Sequence, residues 1–98
     1  MRKRTFMFDG SDGAGDMLAK ILNYYAEAAY PMGGSECAAA SREALNQLAG
    51  RFLQADDIEI KRRQRPLLKS AVNWFYHDAG LDVLDKAMYE RLISQLQK

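Results

Sequence analysis

Apolar residues recur at helical spacing along most of the chain, and the interruptions divide it into segments. Leu18, Ile21, Leu22, Tyr25 and Ala29 fall on one face, predicting a helix over about 16–30. Pro31 and Gly33-Gly34 end it, because proline cannot continue the hydrogen-bond ladder and glycine suits the C-terminal turn. Ser35 is placed to cap a second helix over about 36–54, with Cys37, Ser41, Ala44 or Leu45, Leu48 and Phe52 as its inner stripe. Asp56-Asp57 can cap a short helical or extended piece from Ile58 to Arg65. Pro66 disfavours a helical Arg65 but suits the first turn of a third helix, which should reach about Asp78 and stop at Gly80. In that helix Phe75 shares the core face with Leu68, Ala71, Val72 and Ala79. Leu84, Met88, Leu92 and Leu96 stripe a fourth helix, with Asp82 as the expected cap and Asp85 in its first turn.

The beginning of the chain follows a different rule. Residues 2–8 alternate, which would place Phe6 and Phe8 on one face of a short strand and Met7 on the other. No second run reads clearly as a strand, and a lone strand must pair with a partner chain or dock as an extended arm. The expected architecture is therefore all-α: a compact bundle of about four helices with a short extended N-terminal arm. Residues 1–15 form the arm and a Gly/Asp-rich loop, and residues 16–98 form one helical domain. At 98 residues there is material for one core.

Composition narrows the function. The hydrophobic fraction is 48% and the formal net charge is +1, ordinary for a globular chain without a global field. The single cysteine, Cys37, permits no intramolecular disulfide and no cysteine-based zinc site. It reads as a small buried hydrophobe. The apolar run after Met1-Arg2-Lys3-Arg4 is too short for a signal sequence, and no run approaches the roughly 18 apolar residues of a membrane span. The chain reads as cytoplasmic and not membrane-bound.

Catalytic and ligand motifs fail on chemistry. Gly10 and Gly15 have the glycine spacing of a phosphate-binding loop, but Asp16 and Met17 stand where that loop needs lysine and a hydroxyl. A flexible loop ending in an Asp16 cap is expected instead. Asp9, Asp12 and Asp16 miss the calcium-loop register, whose twelfth position would be Lys20. His77 is the single histidine and lies two helical turns from Ser70, roughly 10 Å along the axis, too far for a nucleophile–base pair. No catalytic residue, metal or cofactor is assigned, and the expectation is a non-enzymatic protein.

The strongest local signal is Lys61-Arg62-Arg63-Gln64-Arg65-Pro66, followed by Leu67-Leu68-Lys69 and the run Trp74-Phe75-Tyr76. Three successive rings on a helix point about 100° apart, so Trp74 and Tyr76 should flank the core on opposite sides of Phe75. No acidic residue follows Lys61 until Asp78, although Asp56, Asp57 and Glu59 upstream could neutralise part of the run. Lys61, Arg62, Arg63, Arg65, Pro66, Lys69, Trp74 and Tyr76 are the candidate partner-binding residues, against the plainer reading of a solvated helix face with boundary aromatics. They suggest a small interaction protein that binds and inhibits a protein partner, in the manner of modulators carried by phages and other mobile elements; a nucleic-acid-processing complex is one such target. The alternative is a DNA-binding transcriptional regulator. In one version the helix after Pro66 is the recognition helix of a helix-turn-helix. In the other, Arg2-Lys3-Arg4-Thr5-Phe6 resembles the strand of a ribbon-helix-helix dimer, which would make the arm a homodimer contact.

Overall fold

The computed structural model describes residues 5–31, 33–78 and 84–96. Its elements run β1 (Thr5–Asp9), α1 (Ala14–Ala29), α2 (Glu36–Gln54), β2 (Asp57–Lys61), a single 3-10 turn at Arg62–Gln64, α3 (Arg65–His77) and α4 (Lys86–Leu96). The molecule is mostly helical, but it is not strictly an all-α bundle. The arm expectation is corrected by β2. Thr5 pairs with Lys61 and Asp9 with Asp57 in a two-stranded antiparallel sheet, so β1 finds its partner within its own chain. The signal was present in Asp57-Ile58-Glu59-Ile60-Lys61, which alternates strictly and carries two β-branched residues. Ile58 and Ile60 are buried, whereas Asp57, Glu59 and Lys61 face water. On β1, Phe8 is buried, Phe6 is half-buried and Met7 is exposed, as the alternation requires.

The four helices stand near their expected positions, with corrections at their ends. Ser35 caps α2, its Oγ accepting from the Ala38 amide at 3.2 Å. For α1 the expected Asp16 cap is wrong. The helix starts at Ala14, with Gly13 at the cap position at φ +85°, and Asp16 lies in the first turn. Arg65 is helical despite preceding proline, at φ −58° and ψ −46°. Pro66 sits in the first turn of α3, where the missing N–H leaves no helical bond unmade. The Arg65–Pro66 bond is trans. In α4 the capping side chain is that of Asp85, whose Oδ1 accepts from the Met88 amide at 2.7 Å. The expected cap Asp82, the stop at Gly80 and the core position Ala79 lie outside the described residues.

The core gathers Phe8, Leu18, Ile21, Leu22, Leu45, Phe52, Ile60, Leu68, Val72, Phe75, Leu92 and Leu96. Burial of this kind is the main stabilising contribution, about 25 cal/mol per Å² of apolar surface removed from water. The expected α2 stripe holds only in its second half: Leu45, Leu48 and Phe52 are buried, but Ala44 and Cys37 are exposed. Cys37 is therefore not a core residue, because the first turns of α2 run beyond the layer that covers them.

The loop between β1 and α1 is hydrogen-bonded to the segment that follows α2. The Gly10 amide donates to Asp56 O at 2.6 Å and the Gly15 amide to Gly10 O at 2.8 Å. A Cβ on Gly10 would lie 2.7 Å from Asp56 O, so the close approach of the two backbones requires glycine there. The Gln95 side chain then closes the end of β1. It accepts from the Asp9 amide at 2.8 Å and donates to Asp9 O at 2.7 Å, making the two bonds a neighbouring strand would make. Arg91 donates to Ser11 O at 2.9 Å and pairs with Asp12 at 3.5 Å.

Candidate functional site

The sheet register sorts charge by position. Asp56 and Asp57 stand at one end of β2, beside Asp9, and Lys61, Arg62 and Arg63 stand at the other. Four strand steps separate these ends, about 13 Å at 3.3 Å per residue. The 3-10 turn then carries the cations onto α3. Gln64 anchors that turn, its Oε1 accepting from the Lys61 amide at 3.1 Å. Lys61, Arg62, Arg63 and Pro66 are exposed, and Arg65 and Lys69 are half-buried.

Among the described residues, none of these five cations is ion-paired; the ion pairs formed are Arg42–Glu27, Lys86–Glu90 and Arg91–Asp12. The neutralisation expected from Asp56, Asp57 and Glu59 does not occur among them. Glu59 instead accepts from the Thr5 hydroxyl at 2.8 Å, and Asp56 and Asp57 lie at the far end of the strand.

Arg65, Pro66, Lys69, Ser70, Asn73 and Leu96 line an open groove of about 430 Å³. Ser70, Asn73 and Leu96 were not among the residues singled out from sequence. Their signal was spacing: Arg65, Lys69 and Asn73 recur every fourth residue, as do Pro66 and Ser70, and so share one face of α3. Leu96 was legible as a core position of the fourth helix, but not as a neighbour of this face of α3, because it comes from the end of another helix.

Trp74 and Tyr76 take different places. Trp74 is half-buried against α1, its ring 5.7 Å from that of Tyr25. Tyr76 stacks on Tyr89 of α4, with centroids 4.1 Å apart and planes 9° from parallel. The Tyr89 hydroxyl donates to Asn73 Oδ1 and lies 3.4 Å from His77 Nε2. The two rings thus lie on opposite flanks of α3, as their spacing predicts, and both face neighbouring helices. They sit two to three helical turns from Arg65, about 13–17 Å along the axis. The structure brings together Lys61, Arg62, Arg63, Arg65, Pro66 and Lys69; Trp74 and Tyr76 belong to the packing of α3 on α1 and α4.

The comparisons leave this surface to be read on its own chemistry. No protein-family model matches the chain, and no curated protein or solved structure matches it. Among the described residues no group of three or more histidine, cysteine, aspartate or glutamate side chains is arranged to hold a metal, and no helix is long and apolar enough to cross a membrane.

Among the described residues, one titration is shifted. The Asp9 carboxyl is held below the ordinary 3.8, first by the Ser11 hydroxyl that donates to it at 2.6 Å, then by the Ser11 amide at 3.0 Å, with a smaller contribution from the Arg91 charge. This carboxylate serves the loop that starts α1, at the opposite end of the sheet from the cations.

Proposed function

We propose that the protein is a non-enzymatic interaction module that binds and inhibits a protein partner through the cationic surface of Lys61, Arg62, Arg63, Arg65 and Lys69 and the groove beside it. The observation that carries this reading is the absence of ion pairs on those five cations among the described residues, in a molecule whose Asp12, Glu27 and Glu90 are paired. Cations left without intramolecular partners keep their field available for an acidic surface, where they set orientation and association rate. Arginine outnumbers lysine in the run, and its planar fork suits bidentate contacts to carboxylates.

Both DNA-binding versions receive less support. A strand, β2, separates α2 from α3, where a helix-turn-helix needs a tight turn. The β1 strand pairs with β2, whereas a ribbon-helix-helix protein uses its strand between subunits.

Affinity capture of the tagged protein from nuclease-treated native lysate, with Arg62→Glu/Arg63→Glu/Arg65→Glu alongside, tests the reading. Stoichiometric recovery of one protein by the wild type, lost in the variant at unchanged melting temperature, is the expected result. Equal recovery by both would overturn the proposed surface.

A further inference from the structure

The two outer edges of the small sheet are not equally closed. The Gly10 amide bonds Asp56 O at 2.6 Å, so Gly10 and Asp56 are a hydrogen-bonded pair at the end of the ladder. In an antiparallel ladder such pairs alternate with pairs whose backbone groups point outward. Counted along the register, Phe8–Ile58 and Phe6–Ile60 bond inward. Thr5, Met7 and Asp9 of β1, and Asp57, Glu59 and Lys61 of β2, then turn their N–H and C=O groups to the edges. Long side chains close several of these positions. Gln95 takes both groups of Asp9, Arg51 donates to Glu59 O at 2.8 Å, and Gln64 accepts from the Lys61 amide. Among the described residues none reaches the outward groups of Thr5 and Met7, and Met7 is 60% exposed. An open edge beside an exposed apolar side chain is a template for another strand.

We infer that the Thr5–Met7 edge of β1 is a self-association surface, taken by the same edge of a second copy in twofold, antiparallel pairing. The closed position at Asp9 sets the register. Pairing Met7 with Met7 of the other copy would set Thr5 against Asp9, whose edge groups Gln95 already holds. Centring on Phe6 avoids this. Thr5 of each copy then faces Met7 of the other, and these two pairs exchange all their outward N–H and C=O groups. The two Phe6 side chains meet at a non-hydrogen-bonded pair, where Cα atoms come within about 4.5 Å. Phe6 is half-buried against the core of its own chain, and an aromatic cross-strand pair covers surface that remains.

Charge favours this partner and this orientation. Each sheet is acidic at Asp9 and Asp57 and basic at Lys61. Twofold antiparallel pairing lays the basic end of one sheet beside the acidic end of the other. Lys61 of one copy and Glu59 of the other then close each shared row, three strand spacings or about 14 Å apart. Parallel pairing in register would instead align Lys61 with Lys61 and Asp57 with Asp57. Charges at that distance choose an orientation more than they bind. So short a paired segment buries less than the roughly 800 Å² per partner of a standard interface, so the dimer is reversible and forms as concentration rises. The edge contains none of the partner-binding residues proposed above.

The test is sedimentation velocity over a concentration series reaching the millimolar range, with exchange of the Met7 amide read by NMR at both ends of the series. The expected result is a monomer that becomes a dimer, with slower exchange of the Met7 amide at high concentration. Met7→Pro removes an amide hydrogen from the outward side of an edge strand, where proline is tolerated. Met7→Lys keeps the amide and puts a charge on the pairing edge. Each should raise the dimer dissociation constant about tenfold or more. Leu53→Lys, at an equally exposed apolar residue of α2, should not. Circular dichroism melts establish that each variant is folded. A monomer at every concentration, or a dimer unchanged in both Met7 variants, would overturn the inference. A Met7 amide already protected at the lowest concentration would overturn it too, because the edge would then be covered within one chain. Protection of that amide by an unrelated peptide of alternating valine and threonine, in a chain that stays monomeric, would overturn the second copy in favour of a strand from another protein.

Discussion

The two ends of the small sheet use their polar groups in opposite ways. At the acidic end, side chains are spent on the fold: Ser11 holds Asp9, Gln95 bonds both backbone groups of Asp9, and Arg91 reaches Ser11 and Asp12. At the basic end Gln64 makes the turn bond, and the charged heads around it make no ion pair among the described residues. Both ends are rich in charge in the sequence. The contrast separates charge that builds structure from charge that is left for something else.

The comparison can be broken most forcefully at the acidic end. Phe52 packs edge-on against Phe8 at 5.2 Å beneath the loop, and Phe52→Ala should cost about 3–5 kcal/mol, a large share of a small domain's stability. Chemical denaturation measures this directly. Gly10→Ala comes next. Its Cβ would meet backbone oxygen rather than a yielding side chain, and a loss of about 1–3 kcal/mol is expected, together with faster amide exchange at Gly15. Gln95→Ala removes two hydrogen bonds from the β1 edge and should cost about 1–2 kcal/mol. The same kind of substitution at the basic end should behave differently. Arg62→Glu/Arg63→Glu should leave denaturation within about 0.5 kcal/mol of wild type, because neither side chain has an ion-pair partner among the described residues. A large destabilisation there would show that those cations serve the fold, and the contrast between the ends would fail.

The smallest effect is a titration. Asp9 is more acidic folded than unfolded, so its ionised form favours the folded state. That contribution is present above the ordinary value of 3.8 and is lost as pH falls through the lowered folded value. Ser11→Ala removes the main cause. The Asp9 carboxyl should move upward in an NMR titration, and the difference in melting temperature between variant and wild type should shrink in strong acid.

Much of the helical layer was legible in the sequence because its signals are local. Ser35 capping, the Leu84/Met88/Leu92/Leu96 stripe and the burial of Phe75 each depend on neighbours within a turn or two. The opposite flanks of Trp74 and Tyr76 were legible for the same reason. The partners those rings would meet were not, since Tyr25 and Tyr89 lie on other helices. Cys37 shows the limit of a periodic stripe: its position fits, but an apolar face is buried only where another element covers it.

What the sequence determined by itself is the set of helices, most of the face that α1, α3 and α4 bury, the second half of that of α2, and the existence of a dense cationic run. Those follow from backbone sterics and from the spacing of apolar side chains, which every copy of the chain carries locally. Tertiary structure alone decided that Thr5–Asp9 pairs with Asp57–Lys61, that Gln95 closes the strand from 86 positions away, and that the basic end is left without intramolecular carboxylates among the described residues. A five-residue strand has too little local preference to choose its partner. The choice is made when Phe8, Ile58 and Ile60 enter one core with the helices, and the register that buries them also sets which charges stand side by side.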